Sequence, residues 1–358
     1  VSRLIRAVID TSALHANLKT IRARAPGSHV MAVVKANAYG HGLVPTALAL
    51  ADADAFAVAR LEEGLALRAA GVTQPIVLLE GVFASEQLLE AARHGFDIVV
   101  HEHLQIELLE RFKGAHRFVI WLKVDTGMNR LGFRPRDFAA AIERLTKLQP
   151  APLELRLVTH LARADEPDES MTRRQITRFN ELVTGLSYAT SISNSAGIFG
   201  ALKIHCDWVR PGLAVYGVSP FANQLGTDLG LQPVMTLEST VIATRLVRQG
   251  ETVGYGGIWQ AVRDSIVAIV AAGYGDGLPR NLPVNTPVLI NGRRAPLVGR
   301  VSMDMIAVDV SSLPPVDVGT PVTLWGNELP VEEIARHAGT IPYELLCGVS
   351  QRVPLELR

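Results

Sequence analysis

Lys35 closes the run His29–Val34 and opens a glycine-flanked aromatic loop, Ala36-Asn37-Ala38-Tyr39-Gly40-His41-Gly42. An amine at the end of a buried strand is partly desolvated, which favours its neutral form and suits it to condense with an aldehyde as a Schiff base. A solvated surface lysine occupies such a position just as readily, so the other strand ends decide between the two. The run Phe118–Val124 leads into Lys123-Val124-Asp125-Thr126-Gly127-Met128-Asn129-Arg130, and Leu153–Thr159 ends at His160. Ala189–Ser193 ends at Asn194-Ser195, and Asp207–Arg210 at Arg210-Pro211-Gly212. Each of these ends carries a basic or polar group.

These residues need a scaffold that brings strand ends together. Short β-branched or apolar runs recur at His29–Val34, Ala55–Ala59, Pro75–Leu79, Phe96–Val100, Phe118–Val124, Leu153–Thr159, Ala189–Ser193 and Asp207–Arg210. Helical periods fill the intervals, as in Leu61–Ala70, Ser85–His94, His101–Phe112, Asp137–Leu148 and Ser170–Leu186. Such alternation suits an N-terminal (β/α)8 TIM barrel over residues 1–229; a doubly wound sheet reads similarly, and the number of strands favours the barrel. A short edge segment, Ala7–Asp10, precedes it. From about Leu229 helical periods nearly vanish and turn formers punctuate Val- and Ile-rich runs, so residues 230–358 are expected to form a mostly-β domain. Its strands are expected at Thr236–Arg248, Ser265–Ala272, Pro287–Ile290, Met305–Val310 and Pro321–Trp325, with one helix at Val331–Gly339.

Composition narrows the partners. Lys plus Arg is 35 and Asp plus Glu is 35, so the chain has no global field with which to hold nucleic acid or an anionic membrane. At 48% hydrophobic and 20% charged residues it has the makings of a full core. Cys206 and Cys347 form no CxxC pattern, which signals neither a disulfide framework nor a zinc site. Charge and apolar residues alternate too early in Val1–Asp10 for a secretory core, so a reducing cytoplasm is the expected compartment. The uncharged stretch Leu182–Leu202 is broken by seven Ser, Thr and Asn residues and reads as two soluble elements around a polar turn.

In a parallel barrel the C-terminal ends of all strands share one face, where the active site lies and where the loops after strands seven and eight often bind phosphate. Ser195-Ala196-Gly197 and Gly212-Leu213 fall there. The combination reads as a phosphate-bearing aldehyde cofactor, pyridoxal 5′-phosphate, attached at Lys35.

Lys35–Gly42 resembles the pyridoxal-phosphate attachment motif of the alanine racemases, and the resemblance covers essentially the whole chain. Lys123–Gly132 (KVDTGMNRLG) matches that family's strand-five segment, Trp208–Gly212 its strand-eight arginine and Gly254-Tyr255-Gly256 its catalytic tyrosine turn. Gly273–Gly277 and Gly299–Asp304 match as well. The resemblance implies an isomerase that interconverts L- and D-alanine by a two-base mechanism. Lys35 would be one base and Tyr255 of the partner subunit the other, in a head-to-tail homodimer with shared sites. A tyrosine acting as a base near neutrality needs nearby positive charge, for which His160 and Arg210 are the candidates. Arg210 would face the cofactor's ring nitrogen; a group that cannot accept a proton leaves that nitrogen unprotonated and favours racemisation over other outcomes. Tyr39, Ser195, Gly212, Leu213 and Tyr343, with Asn194 adjacent, would hold the phosphate. Arg130 and the partner subunit's Met303 would hold the substrate carboxylate. Lys123 would be a carbamylated lysine, and Tyr274, Arg280, Asp304 and Tyr343 the entrance gate. The implied role is D-alanine supply to peptidoglycan in a bacterial cytoplasm, or D-alanine catabolism.

The rivals are a decarboxylase of the same fold, which should carry a carboxylate at the Arg210 position, a broad-specificity racemase, and a non-catalytic cofactor-binding barrel, which needs no second domain. No metal is expected: His101-Glu102-His103, if helical, does not share one face and reads as solvated surface. Both cysteines are expected to be buried.

Overall fold

The structure is a computed structural model that describes residues 4–358; residues 1–3 of the expected barrel unit lie outside it. A first strand, β1 (Arg6–Ile9), is followed by β2 (His29–Val33), β3 (Ala55–Val58), β4 (Ile76–Leu78), β5 (Asp97–Val100), β6 (Val119–Lys123), β7 (Glu154–Val158), β8 (Ala189–Ser191) and β9 (Trp208–Val209). Strands β2 to β9 pair in parallel and in order, with β9 closing onto β2. Both faces of such strands are covered, the inner by the barrel interior and the outer by helices, which is why they read as short unbroken apolar runs. The stretch Leu182–Leu202 resolves into β8 and the helix Ser195–Phe199, as its polar turn implied.

Beyond the barrel come β10 (Met235–Val247), the hairpin β11 (Thr252–Val253) and β12 (Trp259–Gln260), then β13 (Ser265–Val270), β14 (Pro287–Ile290), β15 (Arg293–Val298), β16 (Ile306–Asp309), β17 (Pro321–Trp325) and β18 (Leu355–Leu357). Strands β11 and β12 pair only with each other; the rest join β1 in a sheet in the order β13-β16-β15-β14-β17-β10-β1-β18, and β10 also pairs with β13, so the antiparallel strands ring back on themselves. The expected boundary puts Ala7–Asp10 with the barrel unit, at an edge. Instead β1 lies inside the C-terminal sheet, antiparallel to β10 and parallel to β18. Four residues can declare themselves a strand but not name their partner.

Alternation along the barrel strands stacks two layers inside it. Val99, Lys123, Val158 and Arg210 face the cavity at the mouth; two residues earlier on the same strands stand Asp97, Trp121, Arg156 and Trp208. The Arg156 guanidinium lies against both indoles, 5.1 Å from the Trp121 ring centroid and 4.8 Å from that of Trp208, and the indoles meet edge to face. It reaches the Asp97 carboxylate at 4.0 Å, and the Trp121 indole N–H donates to the same carboxylate oxygen. This layer is the floor of the site. Burial, only partly offset by Arg156, pushes the Asp97 carboxyl up to about 6.

Arg156→Leu therefore removes the cation that offsets the burial of Asp97. Breaking a buried pair costs about 3–5 kcal/mol when the remaining charge cannot neutralise itself. A carboxyl whose folded-state pKa is raised binds its proton more tightly when folded, so its penalty is absent at low pH and grows as pH rises through the folded pKa. The variant's loss in melting midpoint relative to the parent should be larger at pH 8 than at pH 5; a loss independent of pH would refute the assignment.

Candidate active site

The backbone leaving β2 is unusual. Ala36, Asn37, Ala38 and Tyr39 have φ of 53°, 54°, 54° and 51°, one turn of left-handed helix built without glycine. Such a conformation costs roughly 1–2 kcal/mol per residue, so its neighbours must hold it. Glu63 does so at the start: one carboxylate oxygen accepts the Ala36 N–H at 2.7 Å, and the other accepts those of Ala59 and Arg60. Asn37 ties the turn to the next helix by accepting from the N–H groups of Gly42 and Leu43. Gly40 lets the turn meet the helix Pro342–Gly348, since a Cβ there would stand 2.1 Å from the Leu346 carbonyl oxygen. That contact brings Tyr343 beside Tyr39, with ring centroids 5.7 Å apart.

A cavity of about 440 Å³ opens at the barrel mouth. It gathers Lys35, Tyr39, Lys123, Arg130, His160, Asn194, Ser195, Arg210, Gly212 and Tyr343, the barrel residues singled out from the sequence together with one from the second domain; Leu213 follows directly on Gly212. Arg210 is buried and donates to neutral acceptors only: the Ser191 hydroxyl and the carbonyls of Thr159 and Ile192, with His160 Nδ1 at 3.5 Å. None of Lys35, Lys123, Arg130 and Arg210 has a carboxylate within ion-pair distance among the described residues, while nearby Asp125 is paired with Arg134. Burial and then the charges of Arg210, Arg130 and Lys35 push the Lys123 ammonium down to about 8. Burial and the same cationic surroundings drive His160 to about 2. His160 is thus neutral, and of the two groups expected to supply positive charge to a tyrosine base only Arg210 carries any.

At the opposite wall, Asn194 caps the helix Ser195–Phe199 by accepting the Gly197 N–H. The Ser195 oxygen accepts from the N–H groups of Gly212 and Ala214 at 3.0 and 3.2 Å, which leaves its own O–H to donate into the cavity. A Cβ on Gly212 would stand 2.5 Å from the Tyr39 hydroxyl, so glycine is what admits Tyr39 to this corner. The loop bearing Arg130 is organised by Asp125, whose Oδ1 accepts from Gly127 and Asn129. Gln175, on the helix Ser170–Val183, donates to the Thr126 hydroxyl and the His160 carbonyl, tying the ends of β6 and β7 together.

The remaining candidates are not in this cavity. Tyr255 is 66% exposed on the β11–β12 hairpin, and Met303, Tyr274, Arg280 and Asp304 are also exposed, on the second domain. Tyr274 and Gly275 donate to the carbonyls of Ser302 and Met303, so those two loops share one surface. Asp304 is engaged by Arg352, which also binds Asp276. A larger cavity of about 730 Å³, between residues 164–169, the Ser195–Phe199 helix and residues 221–224, has no basic side chain in its lining and none of the candidates. His101 is buried rather than solvated, precedes its helix and contacts the Glu80 carbonyl, while Cys347 is exposed rather than buried. Sequence reasoning missed Glu63, Gln175, Thr159 and Ser191. Of these only Glu63 had a signal, an acid at the third position of a helix following a strand end.

Two family models match the chain in tandem: the alanine racemase N-terminal domain over residues 9–220 and the alanine racemase C-terminal domain over 234–357. The alanine racemase of Nitrosococcus oceani is 51% identical over 98% of this chain and 98% of its own length, and that of Aeromonas hydrophila 49% over 98% of each. The crystal structure of the biosynthetic alanine racemase from Pseudomonas aeruginosa superposes with a TM-score of 0.96 at 43% identity, covering 100% of both chains. With a closed parallel barrel, a mostly-β second domain and a cationic mouth around Lys35 already in place, the chain belongs to the alanine racemase family, the isomerases that interconvert L- and D-alanine.

Proposed function

We propose that this racemase acts through pyridoxal 5′-phosphate attached at Lys35, with Tyr255 of the partner subunit as the second base in a head-to-tail homodimer. The observation that carries the reading is the group of four cations at one barrel mouth with no carboxylate partner among the described residues. Such a cluster is costly to bury unless anions arrive to join it. A phosphorylated cofactor and a substrate carboxylate are two such anions, so the residues present fit the group. Once bound, the cofactor supplies a conjugated ring that takes up the electron pair left when the α-carbon loses its proton.

The chain's own groups do the rest. Ser195, held by two backbone N–H groups, donates its proton toward the phosphate, and Tyr39 reaches the same corner past Gly212. Asn194 and Leu213 shape that corner, and Tyr343 closes it from the second domain. Because the Gly212 N–H donates to Ser195, its support of the phosphate passes through that hydroxyl. Arg210 offers only donors, so it stabilises an unprotonated ring nitrogen and directs the returning proton to the α-carbon. Arg130 holds the substrate carboxylate, helped by Met303 of the partner subunit. Carbamylation would turn Lys123 from a fourth cation into an anion facing Arg130, and its depressed pKa keeps a fraction of the amine neutral and reactive near neutral pH.

Two bases on opposite faces of the substrate are the minimum for exchanging one enantiomer for the other. Lys35 serves one face. Tyr255 is largely exposed on its own protomer, which supports its delivery, with Met303, into a second copy's barrel mouth; Tyr274, Arg280 and Asp304 on the same domain would then line the entrance with Tyr343 and restrict it to small side chains. In this division residues 1–229 hold the cofactor and 230–358 complete the neighbour's site. We assign the activity to the cytoplasm, supplying D-alanine for peptidoglycan or consuming it.

Lys35→Ala should lose both the visible absorbance band of the holoenzyme and turnover in either direction; a retained band would place the attachment elsewhere. Tyr255→Phe should slow α-deuterium wash-in from one enantiomer by about 100-fold or more, the usual worth of a general base, while sparing exchange from the other. Equal loss from L- and D-alanine would count against a two-base division. Mixing inactive Lys35→Ala and Tyr255→Phe protomers under subunit exchange should restore activity, because one of the two mixed sites then carries both bases. No recovery would mean a self-contained protomer.

A further inference from the structure

His41 belongs to the motif after Lys35 but reaches no part of the cavity, and the reaction leaves it without a task. Its side chain is wholly buried, with Nδ1 3.0 Å from the carbonyl oxygens of both Ala38 and Tyr39. Its Nε2 has no hydrogen-bond partner, and its ring stacks on Tyr216 with centroids 4.5 Å apart. Burial lowers its pKa to about 4, so the ring is neutral and carries a single N–H. Carbonyl oxygens only accept, which puts that proton on Nδ1. Both carbonyls belong to the last two residues of the left-handed turn, where a misplaced peptide would swing the Tyr39 ring out of the Ser195–Gly212 corner. Tyr216 is fixed in turn by its hydroxyl, which donates to the Val33 carbonyl on β2.

We propose that His41 is a positioning residue whose Nδ1–H clamps the Ala38 and Tyr39 carbonyls and thereby aims the Tyr39 hydroxyl at the phosphate end of the site. The inference rests on the reading of that corner as a phosphate site. Glu63 holds the beginning of the turn and His41 its end, so the strained backbone between Lys35 and Tyr39 is fixed from both sides. The main-chain N–H of His41 also donates to the Ala38 carbonyl, so what the ring adds is the hold on Tyr39; the unpartnered Nε2 marks the rest of the ring as filler.

The test compares three variants of the full-length chain, stripped of cofactor, for binding of pyridoxal 5′-phosphate and of pyridoxal, which lacks the phosphate. His41→Phe keeps the ring and its stacking but loses the donor. His41→Asn places an amide N–H near the position of Nδ1, and His41→Gln places it near Nε2. The parent should bind pyridoxal 5′-phosphate more tightly than pyridoxal. His41→Phe should lose about tenfold toward the phosphorylated ligand, as expected for a buried hydrogen bond of about 1.4 kcal/mol, while its affinity for pyridoxal stays within about twofold. His41→Asn should restore the preference and His41→Gln should not, a pair that also serves if the phenylalanine variant does not fold. A His41→Phe chain that matches the parent, a failure of asparagine to rescue, or equal losses toward both ligands would overturn the proposal. A parent with no preference for the phosphorylated ligand would instead overturn the phosphate reading on which it rests.

Discussion

Like charges gathered in a poorly solvated space set the terms for the barrel mouth. Lys35, Lys123, Arg130 and Arg210 converge on one cavity with no carboxylate among the described residues within ion-pair distance of any of them, although Glu80 also lines it, and the consequences radiate outward. His160 is forced neutral and the Lys123 ammonium is weakened. Arg210 is buried against a hydroxyl and two carbonyls that accept from it without cancelling its charge. A carboxylate in their place would stabilise the empty barrel and spoil it for an anionic ligand. The protein keeps its positive potential by solvating the guanidinium with dipoles.

Potential alone would not orient a ligand, and orientation comes from two less conspicuous devices. Below the site, Arg156 packs against the Trp121 and Trp208 rings, so Lys123 and Arg210 stand on side chains that fill the layer beneath them. Beside it, the left-handed turn after Lys35 converts a strand end into a corner with Tyr39 at its tip. Strain of this kind persists only where the surroundings over-determine it. Here Glu63, Asn37, Gly40 and the helix Pro342–Gly348 all bear on a few residues of backbone. The second domain thus shapes the site at the mouth of its own barrel.

What the sequence made legible follows from where the information resides. Barrel strands such as Ala55–Val58 and Asp97–Val100 are covered on both faces, so composition alone marks them. The strand-end positions of Lys35, His160 and Arg210 followed from that alternation, and their convergence from barrel closure. The turn at Ala36–Tyr39 was illegible because alanine, asparagine and tyrosine do not advertise a positive φ; only the flanking Gly40 and Gly42 hinted at it. Ser191 and Thr159 were invisible because they act through a hydroxyl and a main-chain carbonyl that any strand end could offer. The helix Thr11–Arg24 went unread although Asp10 caps it with its carboxylate, a signal overshadowed by the strand that precedes it. The partner of β1 could not be read at all, since pairing over hundreds of intervening residues leaves no local trace.

That pairing bears on the order in which the chain folds. β1 sits between β10 and β18, so residues 6–9 pair with residues 235–238 on one side and with residues 355–357 on the other, both distant in sequence. The barrel strands β2 to β9 each pair with the next in sequence, and only the closure of β9 onto β2 spans a long stretch of chain. Closing the long loops to β1 costs more chain entropy than closing the barrel's successive ones, which puts the pairing of β1 after that of the barrel strands. The second domain's sheet is therefore complete only when two strands far apart in sequence, β1 and β18, have been brought together beside a finished barrel.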